Sequence, residues 1–315
     1  MPPELPPNPV AFVVTGPTYG IGLSAALELS QRGTVVLVGR NTAKLETVRS
    51  RIEHRGGRAP IVVCDLSDLT SVGRAAAAII ALDLPITGLL NNAGIMPVQA
   101  GKTAAGWDLT FVTNYLGPFA LTEALIPHLA DGARIVFVVS AIEDPERRPA
   151  KAMGMRGGRF ISVEASARGE WLPGGAKLPG VNAYATSKQC SLAAALGLAR
   201  ENPRLRIDAV EPGINPDTEL SGGNAAMRFL FGQIVTRLPP FSRYRTTPDR
   251  AAHVIATILN DKSSKSGLYH DEKGEPMTGS VLAHDPEFQD RVIAETRAFL
   301  ARNGPQFLRH ASGQL

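Results

Sequence analysis

Tyr184-Ala185-Thr186-Ser187-Lys188 sets a phenol and an ammonium four positions apart, the spacing that puts two side chains on one face of a helix. A free tyrosine titrates near 10, so moving it towards neutrality takes a preference for the phenolate of roughly 3–4 kcal/mol. An ammonium within about 4–6 Å, helped by a second cation, supplies that order of effect. A phenol tuned in this way passes a proton to or from a substrate oxygen. Taken alone, the pair reads more readily as a buried phenol beside a surface lysine. Its weight comes from what accompanies it.

The first companion is Thr15-Gly16-Pro17-Thr18-Tyr19-Gly20-Ile21-Gly22, which lies between an apolar strand-like run and a helical one. Gly16 permits a tight turn, Gly20 lets the backbone approach a pyrophosphate, and Gly22 allows close helix–sheet packing. Amides at the helix start favour negative charge. Gly16, Thr18, Tyr19, Gly20 and Ile21 are therefore candidate cofactor contacts. The second apolar run ends Val38-Gly39-Arg40-Asn41, eighteen positions after Gly22, where an NAD site usually carries an acid for the ribose hydroxyls. Arg40 stands there instead. Its guanidinium suits a 2′-phosphate and NADP(H), unless it is simply a solvated strand end. Asp65, in Cys64-Asp65-Leu66, is placed to accept from an adenine amino group, to cap the following helix, or both. Leu66 accompanies it.

Asn91-Asn92-Ala93-Gly94 follows the fourth apolar run, and Pro212-Gly213-Ile214 a later one. With the glycine turn and the Tyr184/Lys188 pair they stand in the order seen in short-chain dehydrogenases/reductases, which the chain resembles from about residue 10 to 220. The resemblance implies Asn114 and Ser140 as the catalytic asparagine and serine. It implies Asn92, Ala93, Gly94, Pro212, Gly213, Ile214 and Thr218 beside the cofactor, with Tyr184 and Lys188 touching it as well. It also implies hydride transfer between nicotinamide and a carbonyl or alcohol carbon. Ser140 would then hold the reacting oxygen, Lys188 the nicotinamide ribose, and Asn114 a water. Three features depart from the family pattern. Pro17 and Tyr19 are unusual in the turn. Thr218 falls six positions after Pro212 rather than five, and Ser140 and Tyr184 are 44 positions apart. Gly39-Arg40-Asn41, Cys64-Asp65-Leu66, Thr218-Glu219-Leu220 and Ser266-Gly267-Leu268-Tyr269-His270 resemble the retinol-dehydrogenase-like, NADP-dependent branch, which handles bulky apolar alcohols and carbonyls.

The elements that must position these residues alternate. Apolar runs at 10–15, 34–38, 61–64, 86–90, 134–139 and 205–210 read as strands. Helical spacing covers 21–32, 42–54, 69–82, 107–129, 181–201 and about 286–302. Continuous apolar strands separated by helices predict an α/β fold, a single-domain doubly wound parallel sheet of Rossmann type over 1–315. Residues 141–180 form an insertion near the active site, with a possible strand at 159–163. Residues 219–245 carry an apolar cluster that reads as a substrate lid or as a helix packed on its own core or a partner subunit. Residues 266–315 form a C-terminal extension.

Composition excludes other classes. The net charge of +4 comes from 33 basic and 29 acidic residues spread along the chain, so no nucleic-acid partner is expected. The first nine residues do not read as a signal peptide, and no apolar run is long enough for a membrane span, which predicts a cytoplasmic protein. Cys64 and Cys190 read as reduced buried thiols. His128, His253 and His284 lack ligand spacing, so no metal is expected. The expected partner is a small carbonyl or alcohol substrate of a monomer or homodimer, because the insertion and the extension are placed to block the family's usual pairing helices. A non-catalytic NADP(H)-binding sensor or scaffold is the alternative. A sugar-nucleotide epimerase would need a larger C-terminal domain.

Overall fold

The computed structural model describes residues 10–152, 154–215, 235–237, 239 and 241–304. Seven parallel strands form one sheet in the order β3-β2-β1-β4-β5-β6-β7. They are β1 Ala11–Thr15, β2 Thr34–Gly39, β3 Ile61–Val63, β4 Ile86–Asn91, β5 Arg134–Val138, β6 Arg206–Val210 and β7 Tyr269–His270. The helices are α1 Gly20–Leu29, α2 Thr42–Glu53, α3 Leu69–Ile80, α4 Leu109–Phe111, α5 Gly117–Leu125, α6 Arg148–Ala152, α7 Val163–Arg168, α8 Pro179–Glu201, α9 Pro248–Asn260 and α10 Pro286–Asn303.

The strands carry apolar side chains on both faces because both sheet faces are covered. Val13, Val36, Leu89, Ile135 and Ile207 point to one side, where Val72, Phe119, Leu192 and Phe299 come from α3, α5, α8 and α10. Phe12, Val14, Leu37, Leu90 and Val136 point to the other, against Leu29, Leu45 and Ile255 from α1, α2 and α9. The strand order reverses between β1 and β4. In an open α/β sheet a ligand crevice forms at such a reversal, here at the carboxyl ends of these two strands.

Besides helices α6 and α9, which the sequence reading did not contain, three elements differ from it. The helix expected over 107–129 is interrupted. It starts at Leu109, where the Asp108 carboxylate caps it by accepting from Phe111 N at 2.8 Å. It then widens into a π-helical turn, Val112–Leu116, in which Gly117 N–H donates to the Val112 carbonyl five residues back. The possible strand at 159–163 does not form. Ser162 Oγ accepts from Ala165 N, and Gly169 closes a short helix, α7, at φ 82°. A cap and a left-handed stop outweigh a short apolar run. Strand β7, which the sequence reading did not contain, adds to the edge through Ala209↔Tyr269 and Val210↔His270.

The insertion is tied down along its length. Arg159 N donates to Thr186 Oγ1 at 2.8 Å and Val163 N to Glu295 Oε2 at 2.8 Å, and Phe160 meets Phe288 edge-on with centroids 5.2 Å apart. Gly180, at the start of α8, packs so close to the Pro97 carbonyl that a Cβ would collide with it. This close approach returns α8, and Tyr184 with it, to the end of β4.

Candidate active site

The turn after β1 has Gly16 at φ 65° and Gly20 at φ 54°, which glycine adopts at no steric cost. Gly22 serves a different need. A Cβ there would collide with the Gly16 carbonyl and Asn92 Nδ2. Asn92 Nδ2 donates to the carbonyls of Thr15 (3.0 Å) and Gly16 (3.3 Å), and the amides of Asn92 and Ala93 both donate to Thr15 Oγ1 at 3.0 Å. The glycine turn and the end of β4 are thus one fixed unit. A Gly22→Ala substitution is expected to weaken dinucleotide binding at least about tenfold with a loss of a few kcal/mol in stability, measurable by fluorescence titration and urea unfolding. Unchanged affinity would show that the turn does not meet the ligand.

These residues open onto a cleft of about 470 Å³ along the carboxyl ends of the strands. Gly16, Thr18, Tyr19, Gly20 and Ile21 form one wall, while Arg40, Asp65 and Leu66 sit at the far end. Asn92, Ala93, Gly94, Ser140, Tyr184, Lys188, Pro212 and Gly213 line the rest. Arg40 is exposed and Lys44 stands beside it on the lining, giving that end two cations. Sequence reasoning missed Lys44, which the Asn41 side chain places by capping α2 through Lys44 N at 3.0 Å. Asp65 does not cap α3. It turns back on Ser67, accepting from its N at 2.9 Å and Oγ at 2.7 Å, while Asp68 is the cap. The Cys64 thiol is buried and pushed up to about 12 by that burial. Ile214 is not part of the wall. Its amide donates to the Tyr244 carbonyl at 2.8 Å and its carbonyl accepts from Thr246 N at 3.1 Å. Thr218 and the segment 219–234 lie outside the described residues.

At the near end Ser140 hydrogen-bonds Tyr184. Lys188 Nζ lies 5.5 Å from the Tyr184 ring centre and donates to the Val138 carbonyl at 2.7 Å. Asn114 sits on the π-helical turn behind Gly94. Its Oδ1 accepts from Ile95 N and its Nδ2 donates to the Ile95 carbonyl, both at 2.8 Å, with Ser187 Oγ at 3.3 Å. The titration of the pair differs from the sequence reading, which lowered the phenol. Burial raises Tyr184 well above 10, the Glu211 carboxylate adds to this, and the Ser140 hydrogen bond only partly offsets it. Lys188 is brought down to about 8, again by burial, against an opposing pull from Glu211. Glu211 was not anticipated, and its position just before Pro212-Gly213 is the only signal the sequence carries for it. Met96, Ile142, Ala150, Met155 and Val181 surround Tyr184 with apolar surface.

Just past Ser140, Glu143 is fully buried, and its carboxyl accepts from Ser280 N at 2.8 Å and Ser280 Oγ at 2.5 Å. Burial raises it from 4.5 to about 7. The folded state therefore holds this proton in the window between, where the unfolded chain releases it. The associated stability is present below about pH 4.5 and lost as pH rises through about 7. Relative to the parent, Glu143→Gln is expected to gain about 3 kcal/mol between pH 4 and pH 8. Parallel stability–pH curves for the two proteins would refute this.

Among the described residues no helix is long and apolar enough to cross a membrane, and no group of acidic, histidine or cysteine side chains is arranged to hold a metal ion.

The sequence pattern of the short chain dehydrogenase family matches residues 10–149. Human polyprenol dehydrogenase is 37% identical over 149 residues, covering 44% of this chain and 45% of that protein. Human retinol dehydrogenase 11 is 40% identical over 133 residues, covering 41% and 42% respectively. The matched stretch thus spans less than half the length of these relatives. A Shigella flexneri chain, described as a short chain dehydrogenase and crystallised with NADP, superposes with a TM-score of 0.60 at 26% identity, over 84% of this chain and 98% of that one. Over the matched stretch the chain is similar to short-chain dehydrogenases. Retinol dehydrogenase 11 and polyprenol dehydrogenase stand among its relatives.

Proposed function

We propose that the chain, acting as one dinucleotide-binding unit, is an NADP(H)-dependent reductase or dehydrogenase for a bulky apolar ketone, aldehyde or secondary alcohol. The observation that carries this reading is the convergence of Tyr184, Ser140 and Lys188 at one end of a cleft whose other end presents Arg40 and Lys44. The cleft fits a phosphorylated dinucleotide on its own terms. Gly16 and Gly20 take positive φ and a Cβ at Gly22 would strike the Gly16 carbonyl, so the turn stays tight along that wall. The far end offers two cations for a 2′-phosphate, and the crystallised Shigella relative bound NADP.

Bound in this cleft, the nicotinamide would supply or accept the hydride. Ser140 would hydrogen-bond the reacting oxygen, and Tyr184, held protonated by its burial, would deliver the proton as that oxygen gains charge. Lys188 would hold the ribose beside the reacting ring, with Asn114 fixing the backbone at Ile95 and relaying to water. The Met96, Ile142 and Met155 surface would take the apolar body of the substrate.

The test is oxidation of NADPH and NADH by the purified protein against bulky ketones, aldehydes and quinones, with Arg40→Ser alongside. The expected result is preference for NADPH, falling about tenfold or more in Arg40→Ser. Equal use of NADH by the parent would remove the role given to Arg40. Tight NADPH binding with no turnover on any carbonyl would favour a sensor or scaffold.

A further inference from the structure

Glu211 directly follows β6 and is buried on the wall that carries Tyr184 and Lys188. Its Oε2 accepts from the amide of Ala141, next to Ser140, and its Oε1 from the amide of Gly213 at 3.2 Å. One carboxylate therefore bridges the loops that leave β5 and β6, which are neighbours in the sheet. Its own backbone amide is held by the His270 carbonyl at 2.8 Å, so the side chain has little freedom to leave. We infer that Glu211 is a positioning residue for the reacting pair, clamping the Ser140 and Pro212–Gly213 turns together and serving as the counter-charge that keeps Lys188 an ammonium.

The electrostatics support the geometry. Six groups act with Glu211 around this point. Tyr184 and Lys188 come from α8, Arg147 and Glu143 from the insertion, and Tyr269 and Glu272 from β7 and the turn after it. Arg147, whose guanidinium lies 4.6 Å over the Tyr244 ring, offsets the carboxylate, while burial and Glu272 oppose its ionisation. Glu211 is the charge that resists the loss of the Lys188 proton in its dry surroundings, and the same charge adds to the burial that keeps the Tyr184 phenol protonated. The site is thereby biased towards a proton-bearing phenol beside a charged lysine, the state needed to donate a proton to a carbonyl oxygen.

The assignment rests on the proposed roles of Tyr184 and Lys188, but its test needs neither cofactor nor turnover. The pH dependence of Lys188 acetylation by acetic anhydride, read by peptide mass spectrometry, gives the midpoint of that one side chain. It is expected near 8 in the parent, lower by about one pH unit or more in Glu211→Gln, and within about 0.3 of the parent in Glu211→Asp. An unchanged midpoint in Glu211→Gln overturns the counter-charge, and so does an equal fall in both variants, which would leave only the clamp. Should Glu211→Gln not fold, the reciprocal measurement decides. Coupling between two sites is symmetric, so Lys188→Met must raise the pH at which the Glu211 carboxylic acid band appears in the infrared, and no rise overturns the inference. Loss of turnover alone, with the Lys188 midpoint behaving as expected, would count against the proposed reaction and not against the coupling.

Discussion

Replacing Tyr184 by phenylalanine is expected to lower kcat for carbonyl reduction by about 10³-fold, within the range that one positioned proton donor contributes. NADPH affinity is expected to change by no more than about threefold. The substitution removes one hydroxyl, keeps the ring, and leaves Lys188 Nζ on the Val138 carbonyl, so the walls of the cleft persist. Because burial and Glu211 hold the phenol protonated, the activity of the parent should fall as pH rises through about 8, with its basic limb set by Lys188 and not by the tyrosine. Steady-state kinetics and a fluorescence titration separate the outcomes. A loss confined to KM would mean that Tyr184 only binds substrate, and a loss under about tenfold would mean that another group carries the proton.

The second large effect concerns stability. Arg134, at the start of β5, is almost completely buried. It donates to Asp208 Oδ2 at 2.9 Å, the Asp261 carbonyl at 2.6 Å, Asp261 Oδ2 at 3.0 Å and the Ser263 carbonyl at 2.9 Å. Asp208 is equally buried on β6, and its other oxygen accepts from Leu268 N at 2.9 Å. Taking the guanidinium away leaves two carboxylates, that of Asp208 buried, and two carbonyls without this donor, and breaking a buried pair from one side typically costs about 3–5 kcal/mol. Arg134→Met is expected to lose that amount at pH 7 in urea unfolding. Burial already raises Asp208, so protonation should relieve part of the loss as pH falls. Arg134→Met with Asp208→Asn should recover a kilocalorie or more per mole, about the worth of removing the orphaned charge. A single-variant loss below about 1 kcal/mol would show that water replaces the guanidinium.

What could be read from the sequence follows from what each feature depends on. Strands such as Phe12–Val14 and Val35–Val38 are legible because a two-sided sheet demands uninterrupted apolar side chains. The glycine turn and the Tyr184/Lys188 pair are legible because local spacing alone brings them together. Glu211 was not, since its meaning arises only when β5 and β6 become neighbours and two turns distant in sequence offer their amides to one carboxylate. Lys44 escaped notice because a helix-start lysine has no periodic signature. Ile214 does not line the cleft, and its backbone groups are taken by Tyr244 and Thr246, a pairing between segments some thirty positions apart that no local spacing announces. Asp65 was offered a capping role that Asp68 performs. The apolar pattern of 107–129 is the same whether its hydrogen bonds run to the fourth or the fifth residue, so it predicts burial without predicting register.

That register has a consequence for how the segment tolerates change in length. The π-helical turn Val112–Leu116 holds one residue more than a regular helix would need between the Asp108 cap and Gly117. Gly117 is fixed from outside, since a Cβ there would collide with the Leu66 carbonyl, and the Asp108 amide is held by the Ala167 carbonyl. Deleting one residue inside the turn would give every backbone group an ordinary helical partner. It would also swing whatever precedes the deletion by about 100° about the axis. Either Asn114 would turn away from Ile95, or Asp108 and Phe111 would leave their seats. A helix that is locally better bonded would thus make a worse site, and the extra residue is the spacer that lets both ends keep their aim.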